Sequence, residues 1–152
     1  MEKEKLITYV VFFVGLIASL MLFLPALSYD DGVYSGLNVA FGKELIDIDF
    51  FGLGSVASAK LPFNIFATFA YLLPVIASVI ALIGKKLGLV SAALFIISFV
   101  IMLTLPSQVE ISYTIAGSTS TESVDWSMAY GLIVALVMNG IGAILSFIML
   151  IK

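Results

Sequence analysis

The stretch "FNIFATFAYLLPVIASVIALIGKKLGLVSAALFIISFVIMLTLP", residues 63–106, decides how this chain is built. Its only charged side chains are Lys85 and Lys86. The apolar runs on either side of them, Phe63–Ile83 and Leu87–Leu105, each match the roughly 20 residues that a helix needs to cross a bilayer. In lipid the backbone must satisfy its own polar groups, so helix is the expected state. Pro62 and Asn64 suit a helix start, Gly84 with the two Lys a stop, and Pro106 a second stop. So short a link predicts a tight antiparallel hairpin.

Working outward, two further uncharged runs of the same kind appear, Leu6–Leu27 and Ser127–Ile151, the last with Asp125 or Ser127 as its cap. The first follows Lys3 and Lys5 and ends in "PALS", which has the look of a signal peptide. Its apolar part, Leu6–Leu24, is longer than an ordinary signal core, and it reads as a retained span. Composition agrees: 62% hydrophobic and 11% charged residues, with a mean hydropathy of +1.20, belong to a membrane protein rather than a soluble domain. The lipid bilayer is the first expected partner.

The charges set the expected threading. Lys3, Lys5, Lys85, Lys86 and Lys152 fall on one side with Glu2 and Glu4. Lys43 and Lys60 fall on the other, against Asp30, Asp31, Glu44, Asp47, Asp49, Glu110, Glu122 and Asp125. The positive-inside rule then puts both termini and the "GKK" turn in the cytoplasm, and both large loops outside. Tyr29, Phe63, Trp126 and Tyr130 lie near the outer ends of the spans, where amphipathic rings are favoured. Small size and short loops suggest a bacterial cell membrane.

The outer loops, residues 29–62 and 107–126, carry strand patterns. In "VEISYTI" (109–115) Val109, Ile111, Tyr113 and Ile115 share one face while Glu110, Ser112 and Thr114 share the other. "AGSTSTES" supplies turn residues before a short return strand around Glu122–Val124. In the first loop Val33–Phe41 alternates in the same way, as does "LIDIDF", while "FFGLGSVASAK" (50–60) reads as a mobile return that touches the lipid interface through Phe50, Phe51 and Leu53. A lone hairpin is marginal, whereas three or four strands with one apolar face are viable. The expected fold is therefore a single membrane domain: a four-helix transmembrane bundle capped by one small antiparallel β-sheet, with Val109, Ile111, Tyr113 and Ile115 facing inward.

Four spans, a strand-bearing first loop and a shorter second loop resemble the topology of the claudin-like four-pass proteins. Of the claudin first-loop pattern, "YSGLNVAFG" holds the Gly36-Leu37 pair and lacks the Trp and the two Cys. What the resemblance implies is limited to architecture, a sheet seated on a four-helix bundle, and to lateral self-association as something to test. No residue role carries over.

Inside the spans, Asn139 is the deepest strongly polar residue, about 18 Å along the helix from Ser127 and hence near the bilayer centre. Intramembrane amides commonly act as interhelical glue. Counting inward puts Gly15, Pro74 and Ser98 at the same depth. Pro74 cannot donate to the carbonyl of Ala70, so the expected contact is Asn139 to that carbonyl, or to Ser78 or Ser98. Small residues spaced by four, such as Gly15 and Ser19, Ala77 and Ala81, Gly88 and Ala92, or Gly131, Ala135 and Asn139, suit either close packing within one bundle or a homo-oligomer seam.

Several functions are disfavoured. The chain has no Cys, His or Arg, which removes thiol and imidazole chemistry, the usual zinc and haem ligands, and bidentate anion clamps. No basic face exists for nucleic acid. The acids lack the spacing of a calcium loop, and "DDG" reads as a turn, so neither a metal nor a cofactor is expected. No span holds the carboxylate or His that proton-coupled transport needs. The resulting expectation is a non-enzymatic accessory or structural subunit, working with a membrane-protein partner or as a homo-oligomer. The alternative is an oligomeric channel or small-solute transporter subunit, with Asn139, Ser98, Ser146 and Thr104 facing a shared axis.

Overall fold

The computed structural model describes residues 2–49 and 55–151. The four long helices are α1 (Glu2–Leu20), α3 (Ile65–Ile83), α4 (Gly88–Gln108) and α5 (Tyr130–Ile151), each in a segment long and apolar enough to cross a membrane. They close into a ring in which α1 packs on α3 and α5, and α4 packs on the same two, while α3 and α5 barely touch across the diagonal. Many of their large side chains point outward, although Phe95, Met102, Leu105 and Leu132 are fully buried. Phe13, Phe66, Ile97 and Ile144 are exposed, while Ala67, Ala77, Ala92 and Ala135 are fully buried. Large apolar side chains exposed along every helix, with small residues at the helix contacts, fit a lipid surround and close helix approach.

The α3–α4 hairpin turns through Gly84 and a 3₁₀ turn at Lys85–Leu87, and Asn64 caps α3 by accepting from the N–H of Ala67 at 3.0 Å. The other ends differ from the sequence reading. The first α-helix stops at Leu20, its span continues through a 3₁₀ turn at Met21–Phe23, and the chain then becomes strand β1 (Pro25–Tyr29), short of the expected helical end at Leu27. Pro25 pushes Leu24 into extended backbone, and Ala26 and Leu27 are apolar because they are core residues, not lipid-facing ones. α4 runs through Pro106 to Gln108; Asn64 Nδ2 donates to the exposed Gln108 carbonyl at 3.2 Å, and Ser107 Oγ to that of Thr104 at 2.7 Å. Neither Asp125 nor Ser127 caps the last helix, because Ser127–Met128 form strand β7, paired with β1.

The single expected sheet is two sheets, both at the end of the bundle where α1 and α4 finish and α3 and α5 begin. One has the order β2-β1-β7, with β2 at Gly32–Ser35. The other has the order β3-β4-β5-β6, from Lys43–Asp49, Ser55–Leu61, Glu110–Ile115 and Ser118–Ser123. The alternation from Val33 to Phe41 is not one strand. Ser35 accepts from the N–H of Asn38 and caps a short helix α2 (Gly36–Phe41), whose buried Gly36, Val39 and Ala40 lie at helical spacing. The supposed mobile return contains strand β4; Phe50, Phe51 and Leu53 lie outside the described residues. The return strand after β5 starts at Ser118, because Ala116 and Gly117, with φ of 50° and 83°, turn the hairpin in two residues.

Candidate functional site

Two places concentrate chemistry, the polar groups between the helices and a cleft between the sheets. Within the bundle, Pro74 leaves the Ala70 carbonyl without its helical donor. Ser98 Oγ on α4 donates to that carbonyl at 2.6 Å, and from the opposite side Ser19 Oγ on α1 donates to the adjacent Tyr71 carbonyl at 2.6 Å. Gly15 makes room: a Cβ there would lie 2.5 Å from the Pro74 carbonyl oxygen and 2.6 Å from the Ser78 Cβ. One step further along, Ser91 and Ser146 bond across α4 and α5 at 3.0 Å, and Ser146 also reaches the Gly142 carbonyl at 2.8 Å.

Asn139 is completely buried, but it does not make the expected contact. Its Nδ2 donates to its own helix at Ala135 O, 3.0 Å, and to the thioether of Met102 at 3.3 Å, and its Oδ1 has no partner among the described residues. The depth match holds, yet α5 sits diagonally across the ring from α3, and the neighbouring α4 supplies Ser98 to the Ala70 carbonyl instead. Ser78 bonds within α3, to Val75 O at 2.8 Å. The Tyr71 hydroxyl is buried and likewise lacks a partner among the described residues.

The sheets form the second place. Loop two is tied to loop one through Trp126, whose Nε1 donates to Val109 O at 2.8 Å while its ring meets Tyr34 edge-on at 5.4 Å and Tyr29 at 5.6 Å. Along β5 the inward face fades with distance from the helices. Val109 and Ile111 are buried, Tyr113 is half-buried, and Ile115 is 63% exposed. Ile115 is thus not an inward core residue: it lies beside the hairpin tip, beyond the reach of the bundle. Ile46 and Ile48 on β3, in register with Ala59 and Ala57 and so on the same face, are exposed too.

Between this face and the β1–β2 hairpin lies a cleft of about 480 Å³, with Tyr29, Tyr34 and Tyr113 among its walls and Asp30, Asp31, Lys43 and Glu44 also lining it. Desolvation, followed by the carboxylate of Glu122 and the nearby phenols of Tyr29 and Tyr34, raises the Tyr113 phenol above its ordinary pKa. Such a cleft offers aromatic contact and charge. Among the described residues no group of acids is arranged to hold a metal ion. The sequence pointed to the strands but not to this cleft, since Tyr29 and Tyr34 come together with Tyr113 only through the packing of one sheet beside the other, which the alternation pattern does not encode.

No protein-family model matches the chain, and no curated protein or solved structure shows significant similarity to it. The class is accordingly set by the fold itself: four apolar helices, as in a multi-pass membrane protein, carrying two small antiparallel sheets.

Proposed function

We propose that the chain is a non-enzymatic accessory or structural subunit of a bacterial-type cell membrane, with cytoplasmic termini and its β-structured head outside, acting through helix packing and through that head. The observation that carries the reading is the inward closure of the bundle. Ser78, Ser91, Ser98, Asn139 and Ser146 have no exposed surface, and Phe95 fills the space opposite Gly142, whose Cβ would come within 2.7 Å of the ring. A closed interior of this kind supports the scaffold reading. The same burial counts against a channel made of several copies, because the side chains that would line a shared axis point into each single bundle. Thr104, the exposed member of that set, is occupied by the Val100 and Ile101 carbonyls of its own helix at 3.2 and 3.1 Å.

The test is purification from native membranes in a mild neutral detergent, with mass measurement of the particle. A stoichiometric companion protein supports the reading, and a lone monomer refutes it. Because the chain has no Cys, single substitutions report sidedness. An impermeant maleimide added to intact cells is expected to label Ser120→Cys and not Lys86→Cys.

A further inference from the structure

We propose that the cleft between the sheets is a slot for an extended basic segment of a partner protein, which pairs with the edges of β2 and β3 that have no partner strand among the described residues. This rests on the accessory-subunit reading and names how the head would take hold of a partner. The first observation is which residues line the cleft. From β5 they are Ile111 and Tyr113, alternate residues, as a sheet face requires. From β2 they are Gly32, Val33 and Tyr34, and from β3 the unbroken run Lys43 to Ile46. Consecutive residues of a regular strand point to opposite faces, so β2, which lines the cleft with three residues in succession, presents its edge; β3 breaks register between Glu44 and Ile46, and there it is its place at the end of the sheet that makes it an edge.

The second observation is topological. β2 ends the three-stranded sheet and β3 ends the four-stranded one, so each has one side without a partner strand among the described residues. Natural proteins blunt or cover such edges, or use them for strand addition. Two unpaired edges that border one cleft, with a sheet face as its floor, match the needs of a single extended chain, which has donors and acceptors on both sides.

Charge and apolar exposure decide which chain fits. Asp30, Asp31 and Glu44 in the lining outnumber its single Lys43, so the occupant carries positive charge. Val33 and Ile46 are 58% and 57% exposed, which supplies apolar contact on both walls. A segment that alternates basic and apolar residues offers one set to the floor and the other to the carboxylates, and the same charges repel an acidic segment.

The test uses the purified full chain in neutral maltoside micelles and a labelled peptide of alternating Lys and Val, seven residues long to match β3. Its controls are the Glu-Val counterpart, the Lys-Val peptide N-methylated at every second residue, and empty micelles. Saturable binding of Lys-Val, absent with Glu-Val and with empty micelles, is expected. Methylation should weaken it by about tenfold or more, through loss of backbone bonds. The double variant Asp30→Asn/Asp31→Asn should weaken it by roughly three- to tenfold while its melting temperature stays that of the parent. Equal binding of both peptides, indifference to methylation, or no saturable binding to folded protein overturns the slot. That result leaves the accessory-subunit reading standing wherever a companion still co-purifies; a parent chain that purifies alone ends that reading, whatever the peptide does.

Discussion

Ser98→Ala is the sharpest probe of how the bundle is held. The substitution removes the side-chain hydroxyl bonded to the Ala70 carbonyl, 2.6 Å away, in a site with no exposed surface. Pro74 has no N–H to take its place. A buried acceptor left unpaired costs about 1–3 kcal/mol. Interhelical bonds measured in membranes average nearer 0.6 and reach about 1.7 kcal/mol. The expected loss is therefore about 1–2 kcal/mol, read as a shift in reversible unfolding in mixed micelles. The reasoning predicts more than a loss. In a Pro74→Ala background the substituted residue regains an N–H that can donate to the Ala70 carbonyl, and the cost of Ser98→Ala should fall below about 0.5 kcal/mol, a coupling that a double-mutant cycle measures directly. If Ser98→Ala costs the same in both backgrounds, the hydroxyl is not replacing the donor that Pro74 lacks, and the account is wrong.

Other substitutions test neighbouring points. Asn139→Leu should change stability by less than about 1 kcal/mol, because it removes an unpartnered Oδ1 along with a bond to its own helix and one cross-helix bond to a weak acceptor, the Met102 thioether on α4; a loss above about 2 kcal/mol in the same unfolding assay would restore Asn139 as glue. Gly15→Ala should destabilise by about 1–3 kcal/mol, since its Cβ would meet the Pro74 carbonyl oxygen at 2.5 Å, whereas Gly140→Ala, with nothing within 4 Å, should be neutral or gain up to about 1 kcal/mol. Trp126→Phe breaks the bond to Val109 O, and limited proteolysis should then cut the head faster while the melting of the helices shifts little.

Much of the bundle was legible in the chain. The "GKK" hairpin, the Asn64 cap and the four spans follow from apolar length and helix-end chemistry, which are local properties. The strands in "LIDIDF" and "VEISYTI" were legible for the same reason, since period-two alternation is written in neighbouring residues. Errors came where one pattern serves two structures. "GLNVAF" alternates like a strand, yet it also places Gly36, Val39 and Ala40 at helical spacing, and the Ser35 cap selects the helix. "PALSY" continues an apolar run but lies past the helix end at Leu20 and the 3₁₀ turn at Met21–Phe23, and forms the strand that joins both loops.

The sequence by itself determined that four segments suit a membrane, most of their ends to within a few residues though not the outer end of the first, and that Pro74 leaves a carbonyl in need of a donor, because span length, charge and proline chemistry belong to the residues themselves. Which neighbour meets that need was decided by the tertiary structure. Depth along a helix can be counted from sequence, but the angle around the ring cannot, so Ser98 and Ser19 rather than Asn139 lie against the Pro74 region. The cleft has the same origin: β2 and β3 each carry an edge in their own residues, and only the packing of one sheet beside the other brings both edges to a common space.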